Sequence, residues 1–142
     1  MARTIHATCV AIEGHGLLIM GASGSGKSDL ALRLIDRGAV LVSDDYTALT
    51  AVDGQLCASP PTNIAGLLEI RHIGIVNLPY VIDVPIALAI ALDEKPQRMP
   101  DQPTMIELIG IGVPCVALAG LEASAPIKAE MMLARFGLGV ER

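Results

Sequence analysis

The sequence predicts an α/β fold in which a mixed β-sheet carries flanking helices. Apolar residues make up 52% of the 142 residues, but Phe136, Tyr46 and Tyr80 are the only aromatic ones. The core must therefore be aliphatic, as in a buried sheet that helices cover. Short apolar segments of strand length outnumber those of helix length, and a glycine-rich loop separates one strand from one helix. The chain length predicts a single domain over residues 1–142.

The N-terminal half predicts five strands around one helix. Apolar residues at helical spacing predict the helix over 28–37, and Gly38 is suited to end it. Asp53 and Gly54 predict a tight hairpin turn between two of the strands. A loop is expected over 59–63. The strands are expected at 8–12, 17–20, 40–42, 47–52 and 55–58.

The C-terminal half predicts a central strand, a long loop and a second helix. Residues 86–92 are continuously apolar, which is typical of a strand buried on both faces. Residues 93–103 hold three prolines and five charges, so they predict an exposed and mobile loop. The second helix is expected at 125–136, and the last residues, 137–142, are expected to fray. Further strands are expected at 67–71, 73–78, 105–109 and 116–118, the first two as two strands or as a strand and a turn.

Charge, hydropathy and cysteine spacing exclude several classes of protein. The net charge is −5 and no basic run occurs, so a nucleic-acid partner is not expected. The longest apolar stretch, 108–121, is interrupted by glycine and proline and is too short to span a bilayer. The three cysteines are far apart and form no CxxC pair, as expected of reduced thiols in a cytoplasmic protein. The surplus of aliphatic residues favours self-association.

Residues 21–28 read GASGSGKS and fill the pattern G-x-x-x-x-G-K-[ST] completely. An apolar strand enters this loop and an amphipathic helix leaves it, which is the context that makes the pattern specific for nucleotide phosphates. Backbone N–H groups wrap the phosphates, the helix N-terminus adds positive charge, Lys27 reaches the phosphate oxygens and Ser28 binds Mg²⁺. The residues expected to bind the nucleotide are Gly21, Ala22, Ser23, Gly24, Ser25, Gly26, Lys27 and Ser28.

Asp44 and Asp45 follow the strand at 40–42, which itself follows the helix of the loop. A carboxylate at the end of that strand is in the usual position to support Mg²⁺. Transfer of a phosphoryl group to a hydroxyl also benefits from a carboxylate that accepts the hydroxyl proton. We interpret Asp44 as part of the metal shell and Asp45 as the base. The alternative, in which one of the two only caps or solvates the turn, stays open.

Further motifs surround the loop: IHATCVAI before it, DLALRLIDRG and LVSDD after it, and LLEIRHIGIVNL beyond them. Together they resemble the C-terminal catalytic domain of the HPr kinase/phosphorylase family, over residues 5–78 and more weakly toward the C-terminal helix. The chain resembles a short form of that family without its N-terminal domain. The resemblance implies a P-loop α/β fold similar to the phosphoenolpyruvate carboxykinase-like kinase domain, and a hexamer.

The resemblance also implies an activity. It is that of an ATP-dependent kinase, which phosphorylates a serine of an HPr-like phosphocarrier protein of the phosphotransferase system, with a reverse phosphorylase activity. Two other hypotheses stay open beside it. One is a regulatory module that binds nucleotide and holds a partner without turnover, and the other is a small-molecule kinase.

The site residues implied by the resemblance lie on both sides of the loop. His6 matches the active-site histidine of the family, and Asp45 matches the residue that accepts the proton in the kinase step. Glu69 matches a second Mg²⁺ ligand, and Arg71 lies in a stretch, 68–77, that is linked to catalysis. The expected catalytic residues are thus His6, Lys27, Asp45 and Arg71, and the expected metal ligands are Ser28, Asp44 and Glu69.

Two departures from the family pattern stand out in the sequence. His72 occupies the position of the glycine that follows the E-[IV]-R motif. No arginine occurs between Arg98 and Arg135, where the family has a functional one, and Lys128 is a cation in that region. An ammonium does not reproduce the fork of a guanidinium. The missing arginine favours the regulatory module, whereas the complete loop and the carboxylates favour the kinase.

Overall fold

The computed structural model describes residues 2–140 and consists of a nine-stranded mixed sheet, a separate two-stranded sheet, one short 3₁₀ turn and two helices. Both helices, α1 (Lys27–Asp36) and α2 (Ala125–Phe136), pack on one face of the large sheet. The strands of the large sheet are β1 (Ala2–Ile5), β2 (Thr8–Ile12), β3 (His15–Met20), β4 (Val40–Ser43), β5 (Thr47–Val52), β6 (Gln55–Ser59), β9 (Val84–Ala91), β10 (Thr104–Leu108) and β11 (Ile111–Ala117), and those of the small sheet are β7 (Leu67–Ile70) and β8 (Gly74–Asn77).

Strand β9 is the centre of the large sheet, because it pairs with three other strands. It runs parallel to β3 and β11, and its first residues pair antiparallel with β6. The strand order is β1-β5-β6-β9-β3-β2-β4, and β10 is joined to the sheet through β11. Residues 86–91 of the continuously apolar segment 86–92 therefore lie in the central strand, as predicted.

Strand β2 brings two other strand ends to the same edge of the sheet. It is antiparallel to both β3 and β4, so β3 and β4 run in the same direction. The glycine loop follows β3, and Asp44 and Asp45 follow β4. Because strands that run in the same direction end at the same edge, the fold places the loop beside the two aspartates.

Two aliphatic clusters cover the two faces of the large sheet. The cluster on the helix side contains Leu17 and Ile19 of β3, together with Leu34 of α1. The intervening residue Leu18 and its neighbour Ala89 on β9 belong to the other cluster, which side chains of β5, β6 and β10 cover. Since both faces are buried, consecutive residues of these strands are apolar.

The predicted helices and strands are confirmed with small shifts of their ends. The second helix has the expected bounds, and α1 begins and ends one residue earlier than expected. Strand β1 was not predicted, because its residues are mostly exposed and show no apolar pattern. The first part of β11 was also missed, because Gly112 and Pro114 lower strand propensity. Pro114 is tolerated there since pairing with β9 begins only at Cys115.

The C-terminal residues pack against the sheet. Leu138 N–H donates to the carbonyl oxygen of Ala87 at 2.9 Å, so the expectation of a frayed end is wrong for 137–140. Residues 141–142, the rest of that expectation, lie outside the described residues. Residues 93–103 form neither helix nor strand and are mostly exposed, as predicted. Within the described part of the chain, neither helix is long and apolar enough to cross a bilayer.

Candidate functional site

The glycine loop, residues 21–26, joins β3 to α1. Gly24 and Gly26 have φ values of +83° and +98°, in the left-handed region that favours glycine. A Cβ atom at Gly26 would also lie 2.9 Å from Cδ2 of Leu121. These two glycines let the chain turn sharply from the strand into the helix, which is the strand–loop–helix arrangement expected from the sequence.

The N-terminal end of α1 is suited to an anion. Its N-cap is Gly26, so no side chain caps the first turn, and the first helical hydrogen bond runs from Leu30 N–H to Gly26 O at 2.9 Å. The N–H groups before Leu30 have no acceptor within the helix, and with the helix dipole they favour negative charge. The hydroxyl of Ser25 is buried and has no hydrogen-bond partner among the described residues. This set of donors fits a phosphate group.

Lys27 brings a buried positive charge to the same loop. Its side chain is almost fully buried, and Nζ donates to the carbonyl oxygens of Gly21 and Ala22 at 2.8 and 3.2 Å. A buried ammonium needs such partners, because leaving it unpaired away from water is costly. The charge of Lys27 is suited to an anion at the loop.

Asp44 is buried at the centre of a hydrogen-bond network. Its Oδ1 accepts hydrogen bonds from Ser28 Oγ at 2.6 Å and from Thr8 Oγ1 at 3.2 Å. Its Oδ2 accepts the backbone N–H of Glu69 at 3.2 Å. Buried carboxylates are stable when donors of this kind satisfy them. One carboxylate thus connects the first turn of α1 with β2 and β7.

Asp45 has an unusual backbone conformation. Its φ is +67°, and the N–H of Tyr46 donates to the carbonyl oxygen of Asp44 at 2.7 Å. This pattern is a three-residue γ-turn, whose positive-φ form is rare and strained. The N–H of Asp45 donates to Thr8 Oγ1 at 3.1 Å, which holds the turn against β2. The turn directs the two neighbouring carboxylates into different surroundings.

The carboxylate of Asp45 is exposed and contacts His6. Asp45 Oδ1 lies 2.8 Å from Nε2 of His6. Since an ionised carboxylate only accepts hydrogen bonds, this ring nitrogen carries the proton. The ring centroid of Tyr46 lies 5.2 Å from that of His6. Asp45 therefore has one oxygen held by the histidine and remains open to solvent.

Glu69 and Arg71 lie on the small sheet next to Asp44. The side chain of Glu69 is exposed on β7, and only its backbone N–H reaches Asp44. Arg71 is exposed in the turn between β7 and β8, and its side chain pairs with no carboxylate among residues 2–140. His72, in the same turn, has a φ of +73°, so it adopts the conformation that would suit the glycine of the family pattern. Lys128 pairs with Glu122 at 3.1 Å.

Oxygen atoms that fit Mg²⁺ are present beside the loop. No three histidine, cysteine, aspartate or glutamate side chains in the described residues are close enough to hold a metal ion by themselves. Mg²⁺ needs fewer protein ligands, because it is usually held by one or two carboxylates together with substrate phosphates and water. The hydroxyl of Ser28 and the carboxylate of Asp44, 2.6 Å apart, are a donor set of that kind.

Sequence reasoning missed two residues of this site, Thr8 and Tyr46. Thr8 contacts both aspartates, and Tyr46 packs beside His6. The signal that the sequence offers for Thr8 is a polar residue at the start of an otherwise apolar strand. Its partners depend on the register of β2 against β4, which shifts between Cys9 and Val10 and has no signature in the sequence.

Comparison with known proteins agrees with this geometry. The family model described as HPr Serine kinase C-terminal domain matches residues 1–122. A solved structure, the Hpr(Ser) kinase/phosphatase from Coxiella burnetii, is 34% identical and superimposes with a TM-score of 0.81, over 94% of this chain and 95% of that chain. This match confirms the predicted α/β fold class, with its mixed sheet and flanking helices.

Curated relatives carry the name HPr kinase/phosphorylase. The protein from Clostridium tetani is 44% identical over 75 residues, which are 53% of this chain and 25% of that protein. The one from Brevibacillus brevis is 50% identical over 76 residues, 53% of this chain and 24% of that protein. The chain thus spans about a quarter of the length of these relatives. With most of its length matched by the family model, the chain belongs to the HPr serine kinase C-terminal domain family.

Proposed function

We propose that this chain is an ATP-dependent kinase domain that phosphorylates a serine of an HPr-like phosphocarrier protein. The observation that carries the proposal is the contact between Ser28, at the start of α1, and Asp44, beside the exposed Asp45. An anion-binding loop, a metal-binding oxygen pair and an accessible base are the parts that phosphoryl transfer to a hydroxyl needs. The identity of the substrate is inferred from the names of the relatives, which are called HPr kinase/phosphorylase.

The loop residues 21–28 bind the phosphates of ATP in this proposal. The unpaired N–H groups of α1 and the buried Lys27 provide the positive field. Ser28 and Asp44 hold Mg²⁺, and Glu69, whose side chain is exposed on β7, is the second carboxylate proposed for the metal. When bound, Mg²⁺ neutralises charge on the phosphate oxygens. Arg71, next to Glu69 in the chain, contributes a second cation to the same site.

Asp45 acts as the general base for the incoming serine. As the serine oxygen forms its bond to the γ-phosphorus, the bond from that phosphorus to the leaving ADP oxygen breaks, and the serine proton passes to the Asp45 carboxylate. What supports this role is the exposure of the carboxylate and its hydrogen bond with His6. His6 holds one oxygen, so the other can accept the proton. In the reverse, phosphorylase direction, an oxygen of inorganic phosphate would form a bond to the phosphorus of the phosphoserine, the bond from that phosphorus to the serine oxygen would break, and protonated Asp45 would give its proton to the serine oxygen.

Exposure of the site favours a protein substrate over a small molecule. Asp45, His6 and Glu69 are all exposed. Two surface depressions, of about 470 and 400 Å³, lie instead between the 98–105 segment and α2, and no site residue lines them. Small ligands usually bind in enclosed pockets. An open site suits a serine presented on the surface of another protein.

Transfer of labelled γ-phosphate from Mg²⁺·ATP to the HPr-like protein of the same organism tests the proposal. Label is expected on a serine in the wild type and lost in Asp45→Asn and in Lys27→Ala. Asp45→Asn should retain ATP binding, because the carboxylate contacts the incoming hydroxyl and not the loop. Asp53→Asn and Lys95→Ala, both exposed residues outside the site, are the matched controls and should retain transfer.

The other outcomes separate the alternative functions. ATP binding without any transfer would contradict the kinase and support a regulatory module that holds its partner without turnover. Transfer to free metabolites and none to the carrier would support a small-molecule kinase. Unchanged turnover of Asp45→Asn would remove Asp45 as the base.

A further inference from the structure

The hydroxyl of Thr8 contacts both aspartates of the site. Thr8 Oγ1 donates to Asp44 Oδ1 at 3.2 Å and accepts the backbone N–H of Asp45 at 3.1 Å. A hydroxyl has one proton to donate and lone pairs to accept. One bond uses the proton and the other uses a lone pair, so a single group restrains two neighbouring residues that have different proposed roles.

We propose that Thr8 is a positioning residue for phosphoryl transfer, which fixes the γ-turn at Asp45 and thereby the direction of the base. The effect of Thr8 on catalysis rests on the proposed function. Its effect on the conformation of the turn rests on the hydrogen bonds alone. Thr8 does not contact the reacting groups. It acts through Asp45, whose backbone it holds, and through Asp44, whose carboxylate it helps to orient.

The position of Thr8 makes its hydroxyl difficult to replace. The side chain is completely buried, so bulk water does not supply a substitute partner. Thr8 belongs to β2, which pairs with β3 on one side and with β4 on the other, so its backbone is fixed within the sheet. Branching at Cβ further limits its rotamers. A group on a rigid strand positions a site more accurately than a group on a loop.

Loss of the hydroxyl affects the two aspartates unequally. Asp44 keeps two other donors, Ser28 Oγ and the N–H of Glu69. Asp45 loses the acceptor of its N–H at a residue whose positive φ is unfavourable by itself. The γ-turn is therefore expected to relax, while the Ser28–Asp44 contact survives. The expected signature is a lower turnover number with nearly unchanged nucleotide binding.

The test compares Thr8→Val, which removes the hydroxyl at nearly constant volume, with Thr8→Ser, which keeps it. Thr47→Val is the matched control, since Thr47 is also completely buried but donates to a backbone carbonyl, that of Ala7, at 2.8 Å. The turnover number and KM for ATP are measured in transfer to the HPr-like protein. Hydrogen exchange of the Asp45 amide is measured by NMR in the same variants without substrate.

Thr8→Val is expected to lower the turnover number about tenfold, the effect of one lost hydrogen bond, with KM for ATP changed by less than about twofold. Exchange of the Asp45 amide should become about tenfold faster. Thr8→Ser should restore most of the rate and of the protection. Thr47→Val should lower stability without changing the turnover number or Asp45 exchange. If Thr8→Val does not fold, Thr8→Ala takes its place.

Each contrary result overturns the proposal in a distinct way. If the Asp45 amide exchanges hydrogen at the same rate in Thr8→Val as in the wild type, Thr8 does not hold the turn. This conclusion does not depend on whether the wild type transfers phosphate. Equal losses in Thr8→Ser, which keeps the hydroxyl, and Thr8→Val, which keeps the methyl group, would show that the site responds to any change of this side chain and not to the hydroxyl. An equal loss of turnover in Thr47→Val would assign it to general destabilisation. Absence of transfer in the wild type, with the expected exchange pattern, would contradict the kinase and leave the positioning role standing.

Discussion

Asp44 and Asp45 are neighbours in the chain, yet their carboxylates have opposite surroundings. Within residues 2–140, the buried Asp44 carboxylate accepts three hydrogen bonds, whereas the exposed Asp45 carboxylate hydrogen-bonds only with His6. In a regular strand the two side chains would point to opposite faces. Here the γ-turn at Asp45 separates them instead, so that one carboxylate is fixed beside the loop and the other faces solvent.

At the same scale, the buried thiols predict a dependence of stability on pH. Burial raises the pKa of the Cys9 thiol far above its ordinary value, and burial together with the charge of Glu94 raises the pKa of Cys115. Such a thiol ionises less readily in the folded state than in the unfolded state. Its contribution to the free energy of unfolding is therefore complete at pH values below the pKa of the unfolded thiol, about 8.5. The contribution is lost as the pH rises from there toward the pKa of the folded state. The free energy of unfolding should therefore fall above about pH 8.5.

Urea unfolding at a series of alkaline pH values checks this prediction. Cys9→Ala is the comparison, because it removes the most strongly shifted thiol. Its stability should be lower at neutral pH but should decline less steeply with pH than that of the wild type. Identical slopes in the two proteins would show that Cys9 does not carry the effect.

At the scale of elements, the connection from β3 to α1 depends on backbone conformation more than on contacts. Gly26→Ala places a Cβ at a φ of +98° and 2.9 Å from the Leu121 side chain, which is exposed and can move away. The remaining cost is that of a left-handed backbone, about 1–2 kcal/mol. Thermal or urea unfolding is expected to show that loss.

Gly24→Ala is the matched control that separates the contact with Leu121 from the cost of the left-handed backbone. Gly24 has a similar φ of +83°, but no atom lies within 4 Å of the position of its Cβ. The two variants should therefore lose similar stability, and Leu121→Ala should restore little to Gly26→Ala. A large recovery on removing Leu121 would show that the clash, and not the backbone, sets the cost.

Whether a residue of the site can be predicted from the sequence depends on where it lies in the fold. The loop and α1 are predictable because each position of their motif requires a particular residue type, and the bounds of α2 follow from its helical spacing. Asp44 and Asp45 are predictable because they follow a short apolar strand. Thr8 is not, since its role arises from strand pairing between residues far apart in the chain. The place of Glu69 on a separate two-stranded sheet likewise depends on tertiary packing.

For the molecule as a whole, the exposed apolar side chains support the prediction of self-association. Ile73 in the turn between β7 and β8, Ile75 in β8, and Met99 and Met131 beside the surface depressions are each at least 67% exposed. Surfaces of this kind commonly mark contacts with other chains. The resemblance to the family predicts a hexamer, which stays a prediction for this chain.

Light scattering at micromolar concentration tests the state of assembly. The expected mass is that of a hexamer of 14.8 kDa chains. Repeating the measurement over a dilution series distinguishes a stable assembly from weak association, because only the latter loses mass on dilution. The mass of one chain at every concentration would contradict the hexamer.

The strained turn at Asp45 has a consequence for the evolution of this domain. A glycine there would adopt the positive φ without penalty and would raise stability by about 1 kcal/mol, since the lost contact with His6 is largely exposed. The same replacement would remove the proposed base. A population of variants selected only for heat resistance should therefore accumulate Asp45→Gly, whereas selection for phosphate transfer should remove it. Under the proposed role of Asp45, stability and activity are opposed at this one residue.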